Sequence, residues 1–108
     1  GGAMMLLTKE NKKALPLLGA QDEKGDAAIV HVKFFDPGGS FTWYATEFDP
    51  DEGRFFGYVT SSHCPQGEWG YFMLDELASV RGRFGQTMER DRYFKAGPLN
   101  DVLPNPHL

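Results

Sequence analysis

The stretch Ser40–Phe48, with the sequence S-F-T-W-Y-A-T-E-F, constrains the fold of this chain more than any other. D-P-G-G precedes it and D-P-D-E-G follows it, and proline and glycine in such clusters set the backbone angles that reverse a chain. Most residues between the turns are β-branched or aromatic, and these types fit a pleated, half-buried surface. We therefore predict that this stretch is the central strand of an antiparallel sheet.

Further strands are predicted on both sides of the central one. Ala27–Phe35 alternates in hydrophobicity with the period of two that is typical of a strand, and Arg54–Thr60 and Glu68–Met73 are rich in aromatic residues. Short turns join the first three strands, which favours a meander because sequential strands then pair directly. Met88–Phe94 carries charges on both faces and is predicted to be an edge strand.

Two short helices and one helical turn complete the predicted fold. Thr8 stands where a helix N-cap is expected, and Pro16 should end this helix by Leu15. The period changes at Leu74–Val80, where Asp75 is a candidate N-cap, and the segment 97–106 has room for one more turn. The predicted fold class is α+β: an antiparallel four- to five-stranded meander sheet with two or three short helices, which form one layer packed on the sheet.

The length and composition favour a single domain. A chain of 108 residues should bury about 60 to 70% of the surface that it exposes when unfolded. Nine Phe, four Tyr and two Trp supply the bulk of a core. Residues 5–103 are interpreted as one α+β domain, residues 1–4 as the remnant of an expression tag, and residues 104–108 as a C-terminal tail that frays.

Charge and cysteine content favour a cytoplasmic protein that does not contact membranes. The chain has one cysteine, Cys64, and no apolar run long enough for a signal peptide or a membrane span. Its net charge is −4. Residues 1–80 hold six Lys+Arg and twelve Asp+Glu, a net −6, whereas residues 81–108 hold five and three, a net +2. Any contact with an anion is therefore expected in the C-terminal part.

No motif of the sequence predicts a catalytic residue, a cofactor site or a metal site. His63–Cys64 lacks the other ligands that zinc needs, and Asp49–Gly53 lacks the length of a calcium loop and is explained as a turn. Glu47, in the middle of the central strand, needs a partner, and Arg54 across the turn is the expected one. The sequence thus favours a non-enzymatic protein, with a small enzyme that has no recognisable motif as the remaining alternative.

Aromatic residues on both faces of the predicted sheet indicate a surface that binds a protein partner or a second copy of the chain. Tyr44, Phe56 and Tyr58 are the predicted binding residues, because tyrosine tolerates water when free and becomes an anchor when a partner buries it. The alternative is that the C-terminal segment wraps over this face. Alternation assigns Phe41, Trp43, Phe55, Val59, Trp69, Tyr71 and Met73 to one face and Tyr44, Phe48, Phe56, Tyr58 and Phe72 to the other.

A basic cluster near the C-terminus supports a second function, the binding of nucleic acid. It is interleaved with Phe84, Tyr93 and Phe94, a composition typical of surfaces that contact phosphates and stack bases. Glu89 and Asp91 lie within it, as in a solvated edge strand. The cluster consists of Arg81, Arg83, Arg90, Arg92 and Lys95.

Several motifs together resemble one family of bacterial proteins. They are L-L-T-K-E-N, V-K-F-F-D-P, F-T-W-Y-A-T-E-F-D-P, F-F-G-Y-V, W-G-Y-F-M-L-D-E-L-A-S-V-R-G and E-R-D-R-Y-F, and the resemblance covers residues 5–103. The family is that of small uncharacterised proteins known only as a domain of unknown function and commonly carried on plasmids, integrative elements and phages. The resemblance implies an accessory protein of mobile DNA, which we expect to be a protein-binding and inhibitory, anti-defence module.

Overall fold

The computed structural model describes residues 6–104. Within this range the helices are α1 (Lys9–Ala14), α2 (Leu74–Ser79) and α3 (Leu99–Val102), with a 3-10 turn at Gly25–Ala27. The strands are β1 (Ile29–Val30), β2 (Val32–Phe35), β3 (Thr42–Asp49), β4 (Arg54–Thr60), β5 (Glu68–Met73), β6 (Glu89–Arg90) and β7 (Gly97–Pro98). The predicted tag remnant, 1–4, and most of the predicted tail, 104–108, lie outside the described residues.

The main sheet of the described chain has five antiparallel strands in the order β5–β4–β3–β2–β6. Strands β2 to β5 form the predicted meander, and β6 returns to pair with β2 at the opposite edge. β1 and β7 form a separate antiparallel pair. The predicted α+β class with a meander sheet is confirmed, and β4 and β5 have their predicted bounds.

Local signals account for the ends of α1. The Thr8 side chain accepts a hydrogen bond from the Asn11 backbone N–H, and the Asn11 side chain accepts one from the Thr8 N–H, both at 3.0 Å. This reciprocal cap satisfies two donors that a helix start leaves unpaired. Leu15, before Pro16, has the extended backbone that proline imposes on its predecessor. The predicted first helix is confirmed. Helix α2, in contrast, has Met73 rather than Asp75 at its N-cap position, without a side-chain cap.

A β-bulge in β3 changes which side chains share a face. The register shifts between Ala45 and Glu47, so Thr46 is the extra residue, and its hydroxyl donates to the Phe56 carbonyl at 3.0 Å. Beyond the bulge, Phe48 pairs with Phe55 and lies on the core face. The expectation that Phe48 shares a face with Tyr44 is therefore wrong, because strict alternation does not hold through a bulge.

The register between β4 and β5 corrects a second expectation about the faces. Phe72 pairs with Phe55 and Trp69 with Tyr58. Phe72 therefore lies on the core face, whereas Trp69 and Tyr71 lie on the face of Phe56 and Tyr58, opposite to the sequence-based assignment. The core face packs against α2 and the N-terminal segment, and its buried residues are Leu6, Leu7, Leu15, Val32, Phe34, Ala45, Phe48, Phe55, Phe72, Leu77 and Met88.

Candidate functional site: an aromatic strip at the sheet edge

Four aromatic side chains form a continuous strip on the second face of the sheet, along β4 and β5. The rings of Phe56 and Trp69 are nearly parallel, 7° apart with centroids at 5.6 Å. Tyr71 meets Phe56 edge-on at 5.0 Å, and Tyr58 meets Trp69 edge-on at 5.2 Å. Tyr71 is 65% exposed, and the other three are half-buried. We call Phe56, Tyr58, Trp69 and Tyr71 the aromatic strip.

The other half of this face is covered by the C-terminal segment. Tyr44, one strand over from Tyr58, is 1% exposed and clusters with Val30 and Leu99. Burial raises the pKa of its phenol, and a hydrogen bond to Thr60 only partly opposes this effect. The structure corrects the expected exposure of Tyr44, because β7 and α3 bring apolar side chains over it. Of the three predicted binding residues, Phe56 and Tyr58 remain on the strip.

Tyr58 is held in place by the loop between β4 and β5. Its hydroxyl donates to the Gln66 carbonyl. Gly67 has a φ of +78°, and a Cβ at this position would lie only 2.6 Å from the Tyr58 Cζ, so the loop approaches the ring closely because it carries a glycine there. Burial, followed by the charges of Asp26 and Cys64, raises the pKa of Tyr58. Tyr58 therefore forms the fixed end of the strip, with Asp26 nearby.

The strip lies at an edge of the sheet, because β5 pairs only with β4 within the described chain. The Leu74 N–H donates to the Gly53 carbonyl at 2.8 Å, and antiparallel pairs alternate between bonded and non-bonded. By this alternation the backbone N–H and C=O groups of Trp69, Tyr71 and Met73 point away from β4. β5 contains one charged residue, Glu68, and no proline, and thus lacks most features that keep edge strands from pairing.

Glu47 has partners that the sequence did not predict. It is 2% exposed, and its carboxylate accepts hydrogen bonds from the backbone N–H groups of Gly19 at 2.8 Å and Gln21 at 2.7 Å. Arg54, the expected partner, instead forms a salt bridge with Glu52 at 2.9 Å and lies over the ring of Tyr71. The expectation of a Glu47–Arg54 ion pair is wrong, since the bulge places Glu47 opposite Phe56 and beside the loop after α1.

Gln21 connects that loop to two strands, and sequence reasoning missed this role. Its side-chain amide donates to the carbonyls of Ile29 at 3.0 Å and Thr46 at 2.9 Å, and its side-chain oxygen accepts from the Ile29 N–H at 2.7 Å. The side chain is 6% exposed with its polar atoms paired. The one signal in the sequence was an apolar strand with a lone carboxylate, which required buried donors somewhere in the chain.

A cleft of about 210 Å³ opens between this loop and the aromatic strip. Its walls include the acidic residues Asp22 and Glu47 and the aromatic residues Phe56 and Trp69. We call it the acidic cleft. Both kinds of wall attract positive charge, one through its carboxylates and the other through the negative face of its aromatic rings.

The predicted basic cluster is divided in the structure. Arg81 and Arg83 lie in the hairpin that precedes β6, where Arg81 faces Thr87 and Arg83 lies over the ring of Phe84. Arg90 donates to the Leu6 carbonyl at 3.0 Å and is half-buried. Arg92 and Lys95 follow β6 and are exposed. Along the chain, Glu89 and Asp91 separate the hairpin group, Arg81 and Arg83, from the group after β6, Arg92 and Lys95.

A polar cleft of about 220 Å³ adjoins the second of these groups. Its walls include Arg92, His31, Thr8 and Asn11. Burial, followed by the charge of Lys24, lowers the pKa of His31, so the imidazole is held in its neutral form at neutral pH. This side chain therefore adds hydrogen-bonding groups to the cleft rather than a positive charge.

The His63–Cys64 loop shows no arrangement of metal ligands. His63 is exposed and the Cys64 thiol is half-buried. Between residues 6 and 104, no group of three or more His, Cys, Asp or Glu side chains could hold a metal ion. Over the same residues, no helix is both long and apolar enough to cross a membrane.

The fold and the strip define a small α+β domain built on an antiparallel sheet with an open aromatic edge. The sequence profile of one protein family, described as a protein of unknown function (DUF2958), matches residues 6–101. The chain therefore belongs to the DUF2958 family. No curated protein and no solved structure matches it.

Proposed function

We propose that this protein binds a partner protein through the aromatic strip and the free edge of β5. The observation that carries the proposal is that the ring stack of Phe56, Trp69 and Tyr71 lies beside an edge strand whose outward backbone groups belong to Trp69, Tyr71 and Met73. A partner segment in an extended conformation can pair with that edge and cover the rings together. Exposed aromatic side chains of this kind are the usual anchors of protein interfaces.

Charge favours a different protein over a second copy of the chain. Residues 1–80, which contain all four residues of the strip, carry a net charge of −6. Asp22 lines the cleft beside the strip, and Asp26 is close enough to Tyr58 to raise the pKa of its phenol. Two such surfaces would repel each other, whereas a basic partner would be attracted and steered toward the strip.

The sequence resemblance to proteins carried on plasmids, integrative elements and phages supports a biological setting for this binding. In that setting the protein is a cytoplasmic accessory protein of mobile DNA. It acts by occupying a surface of a host protein, such as a defence component, and not by catalysis. A compact domain whose β5 edge is unpaired within the described residues suits inhibition by docking.

The test compares two tyrosines that differ in their place on the surface. Tyr71→Ser removes the most exposed ring of the strip, while Tyr93→Ser removes a ring that is 87% exposed outside it. We expect wild type and Tyr93→Ser to bind the same purified partner, and Tyr71→Ser to bind it about 30-fold more weakly, the effect of losing an interface anchor of about 2 kcal/mol. Candidate partners come from affinity capture in the native host, and titration calorimetry measures their affinities.

Equal affinities of the two variants would contradict the proposal. Light scattering on the isolated protein supplies the second arm. If wild type is a dimer and Tyr71→Ser is a monomer, the strip binds a second copy and the proposal of a different partner is wrong.

A second candidate function, nucleic-acid binding, is favoured by one specific observation. Phe84 and Tyr93 are 77% and 87% exposed, and each follows an arginine of the basic cluster. Exposed rings next to guanidinium groups can stack on unpaired bases while the cations contact phosphates. The division of the cluster by Glu89 and Asp91 leaves two small patches rather than one groove, and for this reason we rank this function second.

The nucleic-acid prediction concerns salt dependence. If the basic cluster binds DNA, affinity should fall as salt rises, with a slope of about −0.9 per phosphate contacted on a duplex. Exchanging Arg83, Arg92 and Lys95 for serine should then flatten the slope. Arg81 and Arg90 are left intact because their guanidinium groups donate to backbone carbonyls. Fluorescence anisotropy with random duplex and single-stranded DNA at low salt measures this. No binding at micromolar protein, or binding unaltered in the triple variant, would exclude this function.

A further inference from the structure

We infer that the acidic cleft binds a cationic side chain of the partner protein and that it prefers arginine to lysine. This inference rests on the proposed function and deepens it, since it names the chemistry that the partner must carry. It depends on three observations: a buried carboxylate without a cation, a pair of nearly parallel rings in the lining of the same cleft, and a cleft of suitable size.

The Glu47 carboxylate is short of positive charge. It is 2% exposed and has no salt bridge within the described chain, so only the partial charges of two backbone N–H groups compensate for its loss of water. Arg54, the expected partner, pairs with Glu52 instead. A cation in the cleft would therefore lie near a carboxylate that has no counter-charge of its own.

Asp22 supplies the accessible carboxylate of the cleft. The Glu47 carboxylate is 2% exposed and already accepts the Gly19 and Gln21 N–H groups, so it acts on a cation through its charge and not by direct contact. Asp22 is exposed and lines the same cleft, so its two oxygens can accept the parallel N–H groups of a guanidinium. An ammonium can use the charge, but only a planar guanidinium uses both oxygens at once.

The aromatic part of the cleft lining suits the flat face of the same group. Phe56 and Trp69 are 7° from parallel, and tryptophan is the best aromatic partner for a cation. The volume of about 210 Å³ corresponds to about seven water molecules at roughly 30 Å³ each. That space admits a guanidinium and part of its aliphatic stem. The cleft adjoins the strip through Phe56 and Trp69, so a segment lying on the strip can place a side chain in it.

The direct test uses two small probes that differ in charge and hardly at all in shape. N-acetyl-arginine amide carries the guanidinium, and N-acetyl-citrulline amide replaces it with a neutral urea. We expect the arginine probe, titrated to millimolar concentrations, to shift the NMR signals of the Gly19 and Gln21 amides and of the Trp69 indole N–H. Citrulline should leave these signals in place, and added salt should weaken the arginine effect.

Matched variants locate the effect. Asp22→Asn removes a carboxylate of the cleft, and Glu23→Gln removes its exposed neighbour, which does not line the cleft. Asp22→Asn should raise the Kd of the arginine probe about two- to five-fold, the range for an exposed ion pair, while Glu23→Gln leaves it unchanged. Equal shifts with citrulline, shifts that spare Gly19, Gln21 and Trp69, or equal effects of the two variants would overturn the inference.

The same variants separate this inference from the proposed function. If the partner binds in a Tyr71-dependent manner and Asp22→Asn binds it as well as wild type, the inference is wrong and the proposed function stands. If the arginine probe binds as described and Tyr71→Ser binds the partner like wild type, the proposed function is wrong and the cleft remains a site for a guanidinium.

Discussion

Replacing Gly57 with alanine is expected to remove the folded state, or to lower the free energy of unfolding by more than about 4 kcal/mol out of a total of about 5 to 15. Gly57 lies opposite Ala45 at the last regular pair before the bulge. A Cβ on Gly57 would overlap the Tyr44 carbonyl oxygen and lie 2.9 Å from its carbonyl carbon and 3.1 Å from the Ala45 Cα. These atoms are all backbone of the central strand, so no side-chain rotation relieves the overlap.

Gly70 supplies the matched control for this substitution. It pairs with Gly57 across the next ladder, and a Cβ there would meet no atom within 4 Å. Gly70→Ala should therefore fold and change the free energy of unfolding by no more than about 1 kcal/mol, with a small gain if the loss of freedom in the unfolded chain dominates. Urea unfolding followed by circular dichroism measures both variants. A Gly57→Ala protein that unfolds at the same urea concentration as Gly70→Ala would show that the close approach of β3 and β4 is not required.

The strands of the sheet could be predicted from the sequence, but the bulge in β3 could not. The bounds of β4 and β5 follow from local composition and neighbouring turns, and the sequence predicted both. The bulge at Thr46 left only an ambiguous mark. The apolar positions are odd-numbered up to Ala45 and the order then reverses at Glu47 and Phe48, but such a break is also expected where a strand ends before a turn. One additional residue in a strand reverses the side chains that follow it. The sequence therefore predicted the sheet correctly and assigned Phe48 to the wrong face.

The candidate site was predictable only in part, for a related reason. Phe56 and Tyr58 were predicted on the second face from their own strand, and they lie there. The face of Trp69 and Tyr71 depends on the register of β5 against β4, and the length and geometry of the loop between these strands help to set that register. The alternation along β3 does not distinguish a buried Tyr44 from an exposed one. Its burial depends on the C-terminal segment, which packs over it and lies more than fifty residues away in sequence.

Replacing Glu47 with alanine is expected to lower the free energy of unfolding by about 2 to 4 kcal/mol and the melting temperature by about 10 to 20 °C. Two opposing effects determine the size of this loss of stability. Removing a buried charge relieves its loss of water, but the two N–H groups that it accepts lose their acceptor. Gly19 is exposed, so its N–H can bond to water. Gln21 is 6% exposed, so its N–H is left unsatisfied, and this loss dominates.

Glu52→Ala is the control for the Glu47 prediction, because it removes a carboxylate of the same size from an exposed ion pair with Arg54. Its effect should lie between 0 and about 1 kcal/mol, as for surface ion pairs in general. Thermal unfolding measures both variants. Hydrogen exchange should in addition show faster exchange of the Gln21 amide in Glu47→Ala and no change in Glu52→Ala. The Gln21 side chain ties the same loop to Ile29 and Thr46. The exchange rate of the Ile29 amide should therefore also rise, because this N–H donates to the Gln21 side chain. Equal stability of the two variants, with Gln21 still protected, would mean that the carboxylate does not hold the loop against the sheet.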